Sequence, residues 1–185
     1  MIDENSKKKN NSIAVLGACL LICVSGIFCL KAKPVDFTLQ NMFVILTAAS
    51  LGGAQAAGAA GLFLTAGALG LPVFAGGGKG LAYLTQTFNG SFVLGYFIAA
   101  LVVGFFTGTP KKNAPIPVKK LIIACVLGYV LVYVPPVASL LNGDIKNFAE
   151  FAPFLPTYLI FDLVKCAVTV PLAFVLRRKF AVEEE

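Results

Sequence analysis

Residues 69–95 read LGLPVFAGGGKGLAYLTQTFNGSFVLG. The stretch sets a proline, a run of glycines, one lysine, one asparagine and several aromatics between two apolar runs of helical length. Inside lipid no water satisfies backbone polar groups, so non-helical chain at membrane depth survives only where protein buries it or where it lines a cavity. The stretch therefore predicts a loop beside a cavity in an otherwise membrane-like chain. Such a cavity is where a small solute would bind.

The sequence on either side supports a membrane setting. Of the 185 residues, 58% are hydrophobic, against roughly 45–50% in a soluble domain. Apolar runs fall at about 13–30, 37–51, 53–71, 90–108, 118–141 and 154–176. At about 20 residues per crossing, these predict an all-α integral membrane protein with six transmembrane helices. The predicted organisation is a cytoplasmic tail over 1–11, a six-helix membrane domain over 12–178 and a second cytoplasmic tail over 179–185. Gly52 and Gly53 almost fuse the second and third runs, which predicts a tight turn between two antiparallel helices. Three lysines ahead of the first run imitate a signal peptide, but its apolar stretch is longer than a signal core and no clean cleavage site follows.

Charge predicts the orientation. With an even number of spans, Lys7–Lys9, the connection carrying Lys111, Lys112, Lys119 and Lys120, and Arg177, Arg178 and Lys179 all share one side. That side holds ten of the 15 Lys and Arg residues. By the positive-inside rule it is cytoplasmic, which places the protein in the plasma (inner) membrane as a multi-pass chain with both termini inside. The loops at 31–40, 69–89 and 144–150 then face outward. The net charge of +6 needs no nucleic-acid partner, since anionic inner-leaflet lipid is the natural partner of those lysines.

Several functions are excluded on composition. The chain has no His, and its five Cys lack paired zinc-type spacing, so no metal or other cofactor is expected. Cys19, Cys23, Cys29, Cys125 and Cys166 read as small buried hydrophobes. Gly76-Gly77-Gly78-Lys79-Gly80 is not a phosphate-binding loop: no Ser or Thr follows the lysine, and no glycine stands five positions before Gly78. No nucleophile has a base beside it, so the protein is not read as an enzyme.

The remaining signals are small and polar residues within the apolar runs. Gly53, Ala57 and Gly61 recur every four residues, as do Ala100, Gly104 and Gly108, a spacing that lets helix backbones approach closely in lipid. Ala14 and Ala18, with Gly17 beside them, repeat the pattern on the first helix and make a candidate docking face. Asp162 and Lys165 interrupt the last run. A charge at the bilayer centre costs roughly 2.5–3.5 kcal/mol on insertion scales, so each needs a partner or a wet cavity. Their spacing puts both on one helical face. They form either a neutralised structural pair or a site offering acceptor and donor together, which suits a ligand with adjoining N–H and C=O groups such as a cyclic urea. Around the expected outer mouth lie Thr38, Gln40, Asn41, Lys79, Tyr83, Gln86, Thr87 and Asn89, with Phe74, Phe88 and Phe92 as apolar wall.

Three segments together resemble the BioY family, the biotin-binding membrane subunits (S components) of energy-coupling-factor (ECF) vitamin transporters. They are Phe37-Thr38-Leu39-Gln40-Asn41-Met42, the run Gly67 to Gly77 (GALGLPVFAGG), and Pro153-Phe154-Leu155-Pro156 followed by Asp162-Leu163-Val164-Lys165. The resemblance implies a six-helix S component whose outward pocket closes under loops and whose Asp-x-x-Lys, here Asp162 and Lys165, contacts the biotin ring system. The expected substrate-binding set adds Gln40, Phe74, Gly78, Lys79, Tyr83 and Asn89 from the mouth. It also implies that Ala14 and Ala18 dock on a transmembrane coupling subunit served by separate ATP-binding subunits, since this chain carries no ATPase signature. Two departures mark the sequence. Thr85 to Ser91 replaces a Gly-Pro-Thr-Gly-Gly-like segment, and Thr157 to Phe161 lengthen the link from Pro156 to Asp162 by about one turn. The competing expectations are an S component for another vitamin, riboflavin or thiamine, and a structural membrane protein without transport.

Overall fold

The computed structural model describes residues 4–30, 37–112, 117–141, 153 and 155–181, with backbone alone at 4–10 and 30. Residues 31–36 of the expected 31–40 loop, the expected loop at 144–150 and both chain ends lie outside the described residues. Helix α1 (Glu4–Ile27) is followed by two short strands, β1 (Cys29–Leu30) and β2 (Phe37–Thr38), paired antiparallel with Cys29 opposite Thr38. Then come α2 (Gln40–Leu51), α3 (Gly53–Ala68), a 3-10 turn (Ala75–Gly77), α4 (Leu81–Gln86), α5 (Phe88–Thr107), α6 (Val118–Val132), α7 (Val134–Leu141) and α8 (Leu155–Phe180).

Among the described residues the fold is all-α apart from that one strand pair. Three segments among the described residues are long and apolar enough to cross a membrane: Phe88–Thr107, Val118–Leu141 and Leu155–Phe180. The apolar stretches Asn11–Ile27 and Gln40–Leu51 are shorter. Helix α1 begins at Glu4, inside the expected tail, because lysine and its neighbours there continue a helix at little cost. The apolar run over 118–141 is broken at Tyr133. Pro135 and Pro136 cannot donate to the carbonyls four residues back, and their rings crowd the preceding turn, so α6 stops and α7 restarts.

Helices α2 and α5 form the centre. Helix α5 packs against α2, α3 and α6, α8 packs against α2 and α6, and α1 lies on α2 and α3. Helix α2 is buried nearly all round, with Val44, Ile45, Ala48 and Ala49 fully enclosed, as a helix at the middle of a bundle must be. Lipid tails are as apolar as leucine, so close packing rather than water exclusion holds such helices together. At Gly104 the need for a small residue is explicit: an added Cβ would lie 2.8 Å from the Ala56 Cβ on α3. The α2–α3 turn uses Gly52 at φ 65° and Gly53 at φ 52°, values that disfavour any side chain.

The glycine-rich stretch is more ordered than its sequence predicts, since it contains α4 as well as the 3-10 turn. The Phe74 N–H donates to the Gly78 carbonyl at 3.0 Å, and the Gly80 N–H donates to the Gly67 carbonyl at 2.7 Å, folding the loop back onto the end of α3. Leu84 of α4 is buried in the shared core, which gives this single short helix the tertiary support that isolated short helices lack.

Candidate functional site

The first turn of α2, the first turns of α5 and α8, and the α6–α7 break meet at the loop end of the bundle. They surround a cavity of about 40 Å³ lined by Phe37, Thr38, Asn41, Phe92, Tyr96, Val132, Tyr133, Tyr158, Asp162 and Lys165. Asp162 and Lys165 are 7% and 8% exposed, so both charges need internal partners. They face each other one turn apart on α8, with Lys165 Nζ 3.0 Å from Asp162 Oδ1.

One further helix and the α6–α7 break complete the cluster. From α2, Asn41 donates through Nδ2 to Asp162 Oδ1 at 2.9 Å, and its Oδ1 accepts from Lys165 Nζ at 3.0 Å and from the Met42 N–H at 2.9 Å. From the α6–α7 break, the Tyr133 hydroxyl donates to Asp162 Oδ2 at 2.6 Å. Lys165 Nζ also lies 4.4 Å from the centroid of the Phe37 ring, a cation–π contact. Phe161 meets Phe37 edge-on at 4.9 Å, and Phe92 meets Tyr133 edge-on at 5.6 Å. Below the cluster, Thr169 Oγ1 donates to the Lys165 carbonyl at 2.7 Å and shares a hydrogen bond of 3.1 Å with the Tyr129 hydroxyl.

A cavity of about 40 Å³ holds one or two waters, whereas small-molecule pockets run to about 300–1,000 Å³. A vitamin-sized ligand therefore enters only if the aromatic wall parts. Phe37, on the short strand β2 ahead of α2, and Tyr158, on the first turn of α8, are both only partly buried and border the cavity.

The other mouth residues form a second group. Gln40 is fully buried and donates through Nε2 to the Ile22 carbonyl at 3.2 Å and the Val73 carbonyl at 2.8 Å, joining α1, α2 and the glycine loop. Phe74 is enclosed between Phe63 and Tyr83, with ring centroids 5.5 and 5.4 Å away. The Tyr83 ring lies against Gly78, and its hydroxyl donates to the Ala75 carbonyl at 3.4 Å. Lys79 is exposed on the loop, and Asn89 is half-buried at the start of α5. None of Gln40, Phe74, Gly78, Lys79, Tyr83 or Asn89 lines the 40 Å³ cavity. The two groups touch in sequence at Gln40 and Asn41, so the loop and the charged cluster hang from adjacent residues of one helical turn.

Tyr96, Tyr133 and Tyr158 escaped the sequence reading. Their signal was a hydroxyl carried into apolar surroundings, where it needs a partner. Arg177 escaped too, because it was counted among the tail charges. It is 6% exposed and donates through Nη1 to the Ala49 carbonyl at 2.7 Å, and through Nη2 to the Thr107 and Gly108 carbonyls at 3.2 and 2.9 Å.

A bundle of apolar helices closed around a buried Asn–Asp–Lys–Tyr cluster defines an all-α multi-pass membrane protein with a polar cluster at one end of the bundle. The model of the BioY family matches residues 3–182, and the chain belongs to that family. It is 32% identical over 163 residues to the biotin transporter BioY of Thermotoga maritima, covering 85% of this chain and 90% of that one. It is also 32% identical over 134 residues to a probable biotin transporter BioY of Lysinibacillus sphaericus, covering 72% of this chain and 64% of the relative's length. The fold matches the crystal structure of the S-component for biotin from an ECF-type ABC transporter with a TM-score of 0.69, at 22% identity, over 97% of this chain and 94% of that one.

Proposed function

We propose that this protein takes up biotin as the substrate-binding S component of an ECF-type transporter, with Asp162 and Lys165 holding the ureido ring. The observation that carries the reading is the buried cluster. A carboxylate, an ammonium and an amide converge on one cavity, and a cyclic urea presents the complementary N–H and C=O groups. The relatives' biotin assignment supports it. In this reading Phe74, Gly78, Lys79 and Tyr83 belong to the segment that closes over the ligand, flanked by Asn89 on α5 and tied to the cluster through Gln40 on α2.

Equilibrium binding of labelled biotin to the purified protein, with unlabelled vitamins as competitors, tests it. Biotin should displace the label, whereas riboflavin and thiamine in large excess should not. Absence of saturable binding would leave a structural membrane protein as the reading, and displacement by riboflavin or thiamine would move the site to another vitamin.

The orientation follows from charge, with six spans, the cavity end outside and both termini inside. Lys111, Lys112, Arg177 and Arg178 line the opposite end of the bundle, around a cavity of about 790 Å³, a basic end suited to the anionic inner leaflet and its lipids. A membrane-impermeant thiol reagent applied to single-cysteine variants should reach residue 79 and not residue 112 in intact cells; the opposite pattern reverses the orientation. Ala14, Gly17 and Ala18 line an apolar groove of about 250 Å³ with Leu46, Thr47, Ser50 and Leu176, which supports docking of a transmembrane coupling subunit there. Ala14→Leu with Ala18→Leu should weaken that association and leave biotin binding intact. Loss of biotin binding would mean that the alanines serve packing within the chain.

A further inference from the structure

We propose that Asn41 is a specificity-determining ligand residue, donating its second amide N–H to the ureido carbonyl beside Lys165. The inference rests on the biotin reading and deepens it, since that reading assigns ring contacts to Asp162 and Lys165 alone.

The amide orientation is set by its neighbours. Asn41 Oδ1 receives two groups that can only donate, the Lys165 ammonium at 3.0 Å and the Met42 N–H at 2.9 Å, while Nδ2 faces a carboxylate oxygen at 2.9 Å. A flipped amide would set donor against donor and acceptor against acceptor. Both lone pairs of Oδ1 are thereby used, and Nδ2 keeps one N–H with no acceptor among the described residues.

Asp162 Oδ1 accepts twice, from Asn41 and Lys165, and Oδ2 accepts once, from Tyr133, which leaves one lone pair on Oδ2. Lys165 spends two of its three N–H groups on Asn41 and Asp162, and the Phe37 ring lies 4.4 Å from Nζ. The unspent capacity of the cluster is therefore two donors and one acceptor, carried by Asn41, Lys165 and Asp162. A cyclic urea takes two donors on its carbonyl oxygen and offers two N–H groups. The remaining groups match the carbonyl and one of those N–H groups, and without Asn41 the carbonyl would have one donor.

The consequence is selectivity for oxygen at that position. A cyclic guanidinium analogue of biotin, in which a protonated nitrogen replaces the ureido oxygen, would present a donor to two donors. Wild-type protein should prefer biotin over this analogue. Asn41→Asp keeps the shape but turns the donating edge into an acceptor, so it should weaken biotin and favour the analogue, narrowing the preference by about tenfold or more, the effect of one misplaced buried hydrogen bond. Asn41→Ala, which removes the donor without adding charge, should also narrow it and serves where Asn41→Asp does not assemble. Thermal melting identifies the folded variants.

The decisive readout is the ratio of the two affinities. If Asn41 only props Asp162 and Lys165 in place, Asn41→Ala weakens both ligands by one factor and its ratio stays at the wild-type value, which overturns the proposal; Asn41→Ala decides because the charge added by Asn41→Asp favours a cationic ligand by itself. If wild-type protein binds no biotin, the biotin reading falls and this inference falls with it. A wild type that binds biotin, with an unchanged ratio in Asn41→Ala, overturns the assignment of Asn41 alone.

Discussion

Asp162→Ala is expected to lower biotin affinity by between about thirtyfold and several thousandfold, the range for truncating one member of a buried, hydrogen-bonded charge pair. The carboxylate is the common acceptor for three donors, Asn41, Lys165 and Tyr133. Its loss removes the acceptor for a ureido N–H and leaves the Lys165 ammonium buried without a counter-charge. The variant should also be less stable, since breaking such a pair from one side costs about 3–5 kcal/mol. Stability and binding can be separated by changing both residues. Asp162→Leu with Lys165→Met removes both charges, and buried pairs replaced by apolar groups are often neutral or stabilising. The double variant should therefore regain thermal stability while failing to bind biotin. Titration with labelled biotin beside thermal melting checks both, and binding in the double variant close to wild type would return Asp162 and Lys165 to a structural role.

Arg177→Met is expected to destabilise the protein by about 2–4 kcal/mol, because two buried carbonyls and one part-buried carbonyl lose their donor at about 1–3 kcal/mol for each group left unsatisfied, less whatever water recovers. Those carbonyls belong to Ala49 near the end of α2 and to Thr107 and Gly108 at the end of α5. The last carbonyls of a helix have no partner within it, and the helix dipole makes that end negative. Arg177 therefore clamps the two central helices to α8 with one fork of donors. For a chain of this size about 2–4 °C of melting temperature is lost per kcal/mol, so a fall of about 5–15 °C is expected. Arg177→Lys should recover only part of it, since an ammonium lacks the planar fork. Arg177 is fifteen residues beyond Asp162, about 22 Å along the helix, so biotin affinity of the folded protein should hold. An unchanged melting temperature would show that the clamp contributes nothing, and lost affinity in folded protein would show that the two ends are coupled.

How much of this was legible in the sequence varied with the range of the interaction. The Asp162–Lys165 pair could be read directly, because three residues on a helix is a local relation. The part played by Asn41 could not, since it meets Asp162 across 121 residues of chain. Its neighbour Gln40 looked equally suited to the pocket, yet one position along α2 turns it toward Ile22 and Val73 instead. Tyr133 was hidden inside a run that reads as one continuous helix, although Pro135 and Pro136 already mark the break that brings its hydroxyl to Asp162. Lys79 and Asn89 looked like binding residues from their place at the expected mouth, and neither borders the small cavity: Lys79 is exposed on the loop and Asn89 is half-buried at the start of α5.

What the sequence by itself determined was everything that hydropathy and local spacing control: an all-helical membrane chain, the Gly52–Gly53 turn, a basic end, and two charges sharing one helical face. Lipid enforces these, since any span must satisfy its own backbone hydrogen bonds and any buried charge must find company nearby. The tertiary structure decided which partners those charges obtain. Arg-Arg-Lys at a helix end reads as a cytoplasmic anchor, and only the places where α2 and α5 happen to end turn Arg177 into an interior clamp. Likewise only the packing of α2 and the α6–α7 break against α8 converts a pair of opposite charges into a four-residue site with two donors and an acceptor to spare.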